Sequence, residues 1–396
     1  MSGAMSWPFL RLYLLVLLYF SANAILNVII PLQGSALGAT NTTIGLIMGA
    51  YLFTTMFFRP WAGQIIKKYG PIKILRIILI LNGCALILYT ITGLGGYLVA
   101  RMLQGVSTAF FSMALQIGII DALPEKDRSQ GISLYSLFSY IPGIIGPLLA
   151  LGIWQGGMEY FSFVMITIAV SAVIFGYSAK IDEKDKEAPS SSDEKEPSSS
   201  TFASFSELFK NPHLFKSSVI MLVGSVVFGA VTVFIPLYAE QIENGNAGVY
   251  LMLMAITVVV CRFTLRKSIP SDGKWHSRFM MGTMFVLALG AQFVSFSITG
   301  GAAFFYMGAI LLGIAQALIY PTLTTYLSFV LPKFNRNVLL GLFIAMADLG
   351  VSFGGVAMGP LADLFSYSIM YQICAVMGAF MIVFSHDRRK VLVVQT

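Results

Sequence analysis

The chain has 396 residues, of which 57% are hydrophobic and only 11% are charged, and its mean hydropathy is +0.81. Soluble domains carry about 25% charged residues, so this composition excludes a soluble globular protein. The formal net charge is +7, but the basic residues lie between apolar stretches, which excludes a nucleic-acid-binding surface. Apolar runs of about 18 residues or more recur along the chain, each long enough to cross a bilayer as a helix. Because these runs are continuous and do not alternate with polar residues, a membrane β-barrel is also excluded.

The sequence predicts twelve membrane-spanning helices. Pro71 at the start of the third span and the run Asn41-Thr42-Thr43 before the second are typical helix-start signals. The predicted ranges are 9–33, 42–64, 71–93, 95–121, 129–154, 159–178, 214–238, 245–266, 277–299, 301–328, 336–360 and 366–385.

Basic residues mark one side of the membrane. They lie in the connections after the second, fourth, eighth and tenth spans and in the C-terminal tail. The opposite connections, such as QGSALGATN and YAEQIENGN, contain no Lys or Arg. The positive-inside rule therefore predicts that both termini are cytoplasmic. The first residues, MSGAMSWPFLR, do not form the basic n-region of a cleaved signal, so we expect a multi-pass protein of the cell membrane.

A charged stretch divides the spans into two groups of six. KIDEKDKEAPSSSDEKEPSSST (180–201) is rich in Ser and nearly lacks apolar side chains, which is typical of a flexible linker. The predicted organisation is an N-terminal six-helix bundle over 1–179, a cytoplasmic linker over 180–213 and a C-terminal six-helix bundle over 214–396.

The two groups of spans share sequence patterns at a nearly constant offset. NVIIPL (27–32) matches TVFIPL (232–237), and RMLQGVSTA (101–109) aligns with the segment that holds Gly313 and Ala317. Ordered matches at one offset indicate a duplication. Two six-helix repeats of the same orientation are the parallel-repeat arrangement of major facilitator transporters. We therefore predict an all-α membrane protein with twelve transmembrane helices in two parallel six-helix repeats.

Cytoplasmic motifs also resemble those of the Major Facilitator Superfamily. GQIIKKYGPIKIL (63–75) is similar to the first cytoplasmic-loop motif of that family, although Lys67 stands where the family carries Asp. DALPEKDR (121–128) resembles the end of the family's fourth helix, where an Asp and a later Arg form a charge network. The resemblance implies a cytoplasmic gate built from Asp121, Arg128, Lys68, Gly63 and Gly70.

Two motifs within the spans strengthen this resemblance. RMLQG (101–105) matches the R-x-x-Q-G motif of proton-coupled members. GIIGPLLALG (143–152) is similar to the Gly-Pro motif of drug:proton exporters, with Ala150 and Leu151 in place of its closing glycines. The motif positions that this chain keeps are Gly143, Gly146 and Pro147. The resemblance implies export.

Longer stretches point to one group within the superfamily. SANAILNV, RPWAGQII, TAFFSM, GIIDALP and PTLTTYLSFVLPK resemble exporters of opine-type metallophores. That resemblance implies export of a small amino-polycarboxylate that carries an imidazole and leaves the cell without bound metal. We also expect a monomer in the lipid bilayer, no nucleic-acid partner and no cofactor, with alternating access driven by the proton-motive force.

Two charged residues lie well inside predicted spans, where a charge costs about 2.5–3.5 kcal/mol on insertion scales. Arg101 lies about two turns inside the fourth span, where it is predicted to anchor substrate carboxylates or to pair with a proton-carrying group. The alternative is that it extends outward or binds neighbouring carbonyls. Asp348 lies about 18 Å beyond Arg336 along the eleventh span and is predicted, with Arg101, to couple transport to protons. The alternative is a neutral Asp that hydrogen-bonds an adjacent helix.

Uncharged polar side chains form a second group of candidates. Asn23 and Asn27 are one turn apart and share a helix face, and the resemblance implies that spans 1, 4, 7 and 10 line the cavity. The alternative is hydrogen bonding between helices. The residues predicted to contact substrate are Arg101, Asn23, Asn27, Gln104, Tyr135, Tyr140, Gln316 and Tyr320.

No catalytic constellation is visible, so we do not expect an enzyme. The histidines His213, His276 and His386 are scattered over cytoplasmic segments, which predicts no metal site. There is no phosphate-binding loop, so ATP is not the direct energy source. A multidrug:proton antiporter of the same fold is an alternative, although such proteins often carry an acid in the first span, where this chain has two Asn. A non-transporting sensor or scaffold is a third possibility.

Overall fold

A computed structural model describes residues 4–178, 208–265, 267–332 and 336–386. Most of the predicted linker, 180–207, lies outside the described residues. Within those residues, 12 helices are long and apolar enough to cross a membrane. The prediction of an all-α protein with twelve transmembrane helices is therefore confirmed.

The first six helices are α1 (Trp7–Ala36), α2 (Asn41–Tyr69), α3 (Pro71–Ile91), α4 (Leu94–Ala122), α5 (Glu125–Gly156) and α6 (Met158–Ser178). The helices after the linker are α7 (Pro212–Tyr238), α8 (Ala247–Thr264), α9 (Ser277–Ser295), α10 (Ser297–Val330), α11 (Arg336–Val356), α12 (Met358–Leu364) and α13 (Tyr367–Ser385). A short 3-10 turn, Ala239–Gln241, follows α7.

The predicted end of the eleventh span is wrong. The sequence predicts one helix over 336–360, whereas the structure divides this segment at Ala357 and continues it as α12 to Leu364. Pro360 explains the break, because it has no N–H to donate to the carbonyl of Val356 and its ring crowds the preceding turn. The second span is also longer than predicted, since residues 65–69, IIKKY, continue the helix to Tyr69.

The helices group into two compact units. One comprises Met1–Gln33 and Ala50–Ser200, and the other comprises Gly34–Gly49 and Thr201–Thr396. The start of α2, residues 41–49, therefore belongs to the second unit, and we call it the α2 head. The rest of α2 belongs to the first unit.

Glycines bring helices of the first unit close together. A Cβ on Gly105 of α4 would lie against the carbonyl oxygen of Tyr51 on α2, and the Thr55 hydroxyl donates to the Gly105 carbonyl at 3.0 Å. A Cβ on Gly146 of α5 would lie 2.5 Å from the Cβ of Ala24 on α1. These approaches bring α2 against α4 and α5 against α1.

In the second unit, α11 packs tightly on α7. A Cβ on Gly350 would lie 2.5 Å from the Leu222 carbonyl oxygen, and one on Gly229 would lie against the Val351 carbonyl oxygen. Small residues on both helices thus allow backbone contact, as membrane helix pairs often require.

Candidate functional site

The first unit holds a buried polar network centred on Arg101 of α4. The Arg101 side chain is 0% exposed. Its Nη1 donates to Asn23 Oδ1 at 2.9 Å and its Nη2 donates to Asn27 Oδ1 at 2.8 Å. The guanidinium carbon lies 5.3 Å from the centroid of the Tyr51 ring, within the range of a cation–π contact. Arg101 therefore points into the unit in this structure and does not extend outward.

Gln104 lies one turn further along α4. Its side chain is buried, and Gln104 Oε1 accepts a hydrogen bond from the Tyr89 hydroxyl at 2.7 Å. The Tyr89 ring packs edge-on against Tyr97, with centroids 5.3 Å apart. In this structure Gln104 is thus tied to α3.

Thr108, two turns after Arg101 on α4, connects α4 with α1 and α2. Its hydroxyl lies 2.9 Å from the Tyr19 hydroxyl of α1 and 3.1 Å from the Tyr51 hydroxyl of α2. The Tyr19 ring stacks on Phe111, with centroids 3.8 Å apart. The hydrogen bond to Thr108 fixes the hydroxyl end of the same Tyr51 ring that lies over Arg101.

Four members of this network were not predicted from the sequence. A signal exists for two of them: Tyr19 continues the spacing of Asn23 and Asn27 along α1, and Thr108 lies one turn beyond Gln104 on α4. Residues three and four apart share a helix face, so the set of candidates on α1 and the set on α4 could each have been extended by one residue. The residues missed are Tyr19, Tyr51, Tyr89 and Thr108.

The candidates on α5 differ in exposure. Tyr135 is 7% exposed, whereas Tyr140 is 40% exposed. In the Gly-Pro motif, Gly146 contacts α1 beside Asn23, while a Cβ on Gly143 would meet nothing within 4 Å. Pro147 lies within α5, and its side chain is buried. The motif thus contributes helix packing at Gly146. The substrate contacts predicted for Tyr135 and Tyr140 stay predictions.

The remaining membrane candidates lie in the second unit. Gln316 and Tyr320 are half-buried and one turn apart on α10, and the Tyr320 ring lies 6.1 Å from that of Phe343 on α11. Asp348 is half-buried on α11, one turn before Ser352. Ser352 Oγ donates to the Gly49 carbonyl at 2.8 Å. Asp348 therefore lies one turn from the contact between α11 and the α2 head.

The predicted gate residues are only partly described. Gly70 has φ 84°, a left-handed conformation that favours glycine, and it turns the chain from α2 into α3. Gly63 is half-buried near the Met113 sulfur, and Lys68 is exposed above the Tyr69 ring at 5.2 Å.

Arg128 Nε donates to the Leu123 carbonyl at 3.2 Å. The side chain of Asp121 lies outside the described residues. The predicted charge network between these two residues therefore stays a prediction.

Among the residues that the structure describes, no three His, Cys, Asp or Glu side chains form a group that could hold a metal ion. His213 Nδ1 lies 2.7 Å from the Tyr326 hydroxyl, and His276 Nε2 lies 2.9 Å from Asp272 Oδ1. The hydrogen bond with His276, with help from the Lys274 backbone N–H, holds the pKa of Asp272 below its ordinary value.

Comparison with known proteins gives consistent results. The chain matches the family model described as Major Facilitator Superfamily over residues 12–269 and 271–392, which confirms the resemblance seen in the motifs. It is 56% identical to a staphylopine export protein of Staphylococcus aureus, over 97% of each chain. It is 22% identical to multidrug resistance protein 2 of Bacillus subtilis, over 86% of this chain and 85% of that protein.

Solved structures agree on the fold. The nucleoside transporter NupG superposes with a TM-score of 0.76 at 13% identity, covering 96% of this chain and 99% of that chain. A bacterial homolog of the human lysosomal transporter Spinster superposes with a TM-score of 0.72 at 14% identity, covering 96% and 94%. At such low identity these likenesses establish the fold alone.

Proposed function

We propose, because the chain belongs to the Major Facilitator Superfamily, that it is a transporter that exports staphylopine or a closely related opine-type metallophore. The observation that carries this proposal is the identity to a staphylopine export protein along nearly the whole of both chains. The substrate is a small anion with several carboxylates, and we infer that it leaves the cell without bound metal.

The Arg101 network supports an anionic substrate. A guanidinium presents two parallel N–H groups that match a carboxylate, and charge-assisted pairs of this kind are stronger than hydrogen bonds to neutral acceptors. Asn23 and Asn27 now occupy the two Nη atoms. In the proposed mechanism a substrate carboxylate takes over these donors, and the two carboxamides turn to the polar groups of the ligand.

Proton coupling is the second part of the proposal. Asp348 is an acid inside a span, where protonation and deprotonation would change its preference for a polar environment. We propose that it exchanges a proton with each side in turn as the protein alternates between its two states. The energy source is the proton-motive force, without a cofactor, and the protein acts as a transporter and not as an enzyme.

We further propose that the protein works as a monomer in the cell membrane, with both termini in the cytoplasm. The distribution of Lys and Arg in the connections supports this orientation. Under it, the connection between α1 and α2 and the one between α12 and α13 face outward.

The test is to delete the gene and measure the metallophore by mass spectrometry in cells and in medium. We expect accumulation inside the cells and loss from the medium, restored by the wild-type gene but not by an Arg101→Ala variant present at equal abundance. Secretion that does not change on deletion would refute the proposal.

A multidrug:proton antiporter is the second candidate, favoured by the similarity to multidrug resistance protein 2. It predicts that expression protects cells against structurally unrelated lipophilic cations. The first span offers Asn23 and Asn27 instead of an acid, which disfavours attraction of cations. Drug resistance that persists in cells unable to make the metallophore would favour this second candidate.

A further inference from the structure

The α2 head (41–49) packs backbone to backbone against α11 and α12 within the second unit. A Cβ on Gly45 would lie against the Gly355 carbonyl oxygen, and one on Gly49 would lie 2.8 Å from the Ser352 carbonyl oxygen. A Cβ on Gly359 would lie 2.6 Å from the Asn41 carbonyl oxygen. Such glycine faces let the backbones approach closely, so van der Waals packing holds the two segments together, as in other membrane helix pairs.

Asp363 adds side-chain hydrogen bonds at the start of the α2 head. Its Oδ1 accepts from the Asn41 backbone N–H at 2.8 Å, and its Oδ2 accepts from the Thr42 backbone N–H at 2.8 Å and from the Thr42 hydroxyl at 2.6 Å. The Tyr367 hydroxyl donates to Asn41 Oδ1 at 2.6 Å. The first N–H groups of a helix lack partners within the helix and attract negative charge, so the carboxylate suits this position.

The carboxylate is not needed to start α2. Thr40 already accepts a hydrogen bond from the Thr43 backbone N–H through its hydroxyl at 3.2 Å, which is local N-capping. Asp363 is 322 residues from Asn41 in sequence. The second cap therefore joins two distant segments, and its removal should leave the helix itself intact.

The hydrogen bonds between Asp363 and the α2 head can also be broken reversibly. Asp363 is exposed, so water can replace each of its hydrogen bonds when the α2 head moves away. Beyond the head, α2 runs without interruption into the other unit. A displacement of the head therefore moves a helix that both units share.

We propose that Asp363 is a releasable latch that holds the α2 head against α11 and α12, and that its opening is a step of the transport cycle. This inference rests on the proposed function, because only a transporter that alternates between states needs to release the contact. Under the proposed orientation the latch lies at the outer end of the second unit.

A cysteine accessibility assay tests the latch without any substrate. Ser352 is 4% exposed and bonded to the α2 head, so Ser352→Cys reports detachment once Cys84, Cys261 and Cys374 are replaced by Ala. We expect Asp363→Ala to raise the labelling rate by a membrane-impermeant maleimide about five- to tenfold, as loss of a helix cap would. Asp363→Asn should give a smaller rise.

Glu243→Gln removes an exposed acid of the same unit and is the matched control, with no change in labelling expected. Equal labelling with and without Asp363 would overturn the latch, whatever the transported substrate is. Because the assay uses no substrate, a failed export experiment would leave this result standing.

A cross-link provides the second test. Thr42 and Asp363 touch through their side chains, so a Thr42→Cys/Asp363→Cys pair can be joined by a short thiol-reactive cross-linker with a cleavable disulfide. We expect export to stop in the cross-linked protein and to return on reduction, while the single Asp363→Cys variant is unaffected by the cross-linker. If fully cross-linked protein exports at the same rate as it does after the cross-link has been cleaved by reduction, the proposal is overturned.

Discussion

At the scale of single residues, two hydrogen bonds of Arg101 go to carboxamide side chains of α1. Asn23 and Asn27 each offer one carboxamide oxygen, and Tyr51 offers the face of its ring. Burying a charge is unfavourable unless hydrogen bonds replace those of water. A carboxylate is a stronger acceptor for a guanidinium than a carboxamide, so the proposed anionic substrate would compete with Asn23 and Asn27 for the two Nη atoms.

For export, the planar shape of the Arg101 guanidinium should matter as much as its charge. Arg101→Lys keeps the charge but loses the two parallel donors. We expect export of the metallophore to fall at least about tenfold, the effect of about 1.4 kcal/mol, with normal amounts of protein in the membrane. Arg11, which lies 5.7 Å over the Trp7 ring, provides the control variant Arg11→Lys. A normal export rate in Arg101→Lys would show that export does not require the two parallel donors of the guanidinium.

Tyr51 should act on transport through its ring. Tyr51→Phe loses the contact with Thr108 but keeps the ring near Arg101, whereas Tyr51→Leu loses both. A desolvated cation–π contact contributes about 0.5–2 kcal/mol, so we expect Tyr51→Leu to reduce export about two- to thirtyfold and Tyr51→Phe to reduce it less. The measurement is initial export rate at several substrate concentrations. Equal losses in both variants would assign the effect to the hydroxyl.

At the scale of helices, Gly105 decides how closely α2 can lie to α4. A Cβ there would lie against the carbonyl oxygen of Tyr51, the residue whose ring lies over Arg101. Overpacking of a tight contact costs about 1–3 kcal/mol. The glycine of the RMLQG segment therefore serves the site indirectly, because it fixes the distance between the helix that carries Arg101 and the helix that carries Tyr51.

Gly105→Ala should consequently lower both stability and export. We expect destabilisation of about 1–3 kcal/mol, seen as a lower midpoint of thermal unfolding in detergent, together with slower export. Gly152→Ala on α5 is the matched control, since a Cβ there would meet nothing within 4 Å, and it should be neutral or slightly stabilising. If Gly105→Ala were as stable as Gly152→Ala, the close approach would not limit the packing.

At the scale of the whole molecule, the twelve spans were predictable because bilayer thickness fixes the length of an apolar helix. Helix ends were less predictable: the segment 65–69, which ends in Lys67, Lys68 and Tyr69, continues α2, and Pro360 divides the eleventh span. Within the site, Asn23 and Asn27 could be paired from their spacing. Tyr51 and Thr108 could not be paired, since residues 57 apart in sequence meet only through helix packing.

The latch residue was missed for a related reason. Asp363 lies near the end of its span, where an acid is expected to reach water and carries no obvious signal. Its partners, Asn41 and Thr42, form an ordinary helix-start sequence with its own cap at Thr40. Glycine packing and the hydrogen bonds of Asp363 together join these segments, and glycine spacing alone does not identify the partner helix.

The proposed proton coupling concerns the whole molecule, and Asp348→Asn tests it. The amide keeps the shape and the hydrogen-bonding capacity of the acid but cannot exchange a proton. In proteoliposomes with an imposed pH gradient, we expect the variant to lose gradient-driven accumulation of the metallophore while it still exchanges substrate across the membrane without a gradient. Glu159→Gln, at the start of α6, is the control and should retain both activities. Gradient-driven transport with unchanged pH dependence in Asp348→Asn would make Asp348 a hydrogen-bonding tie between helices and would move proton exchange to another group.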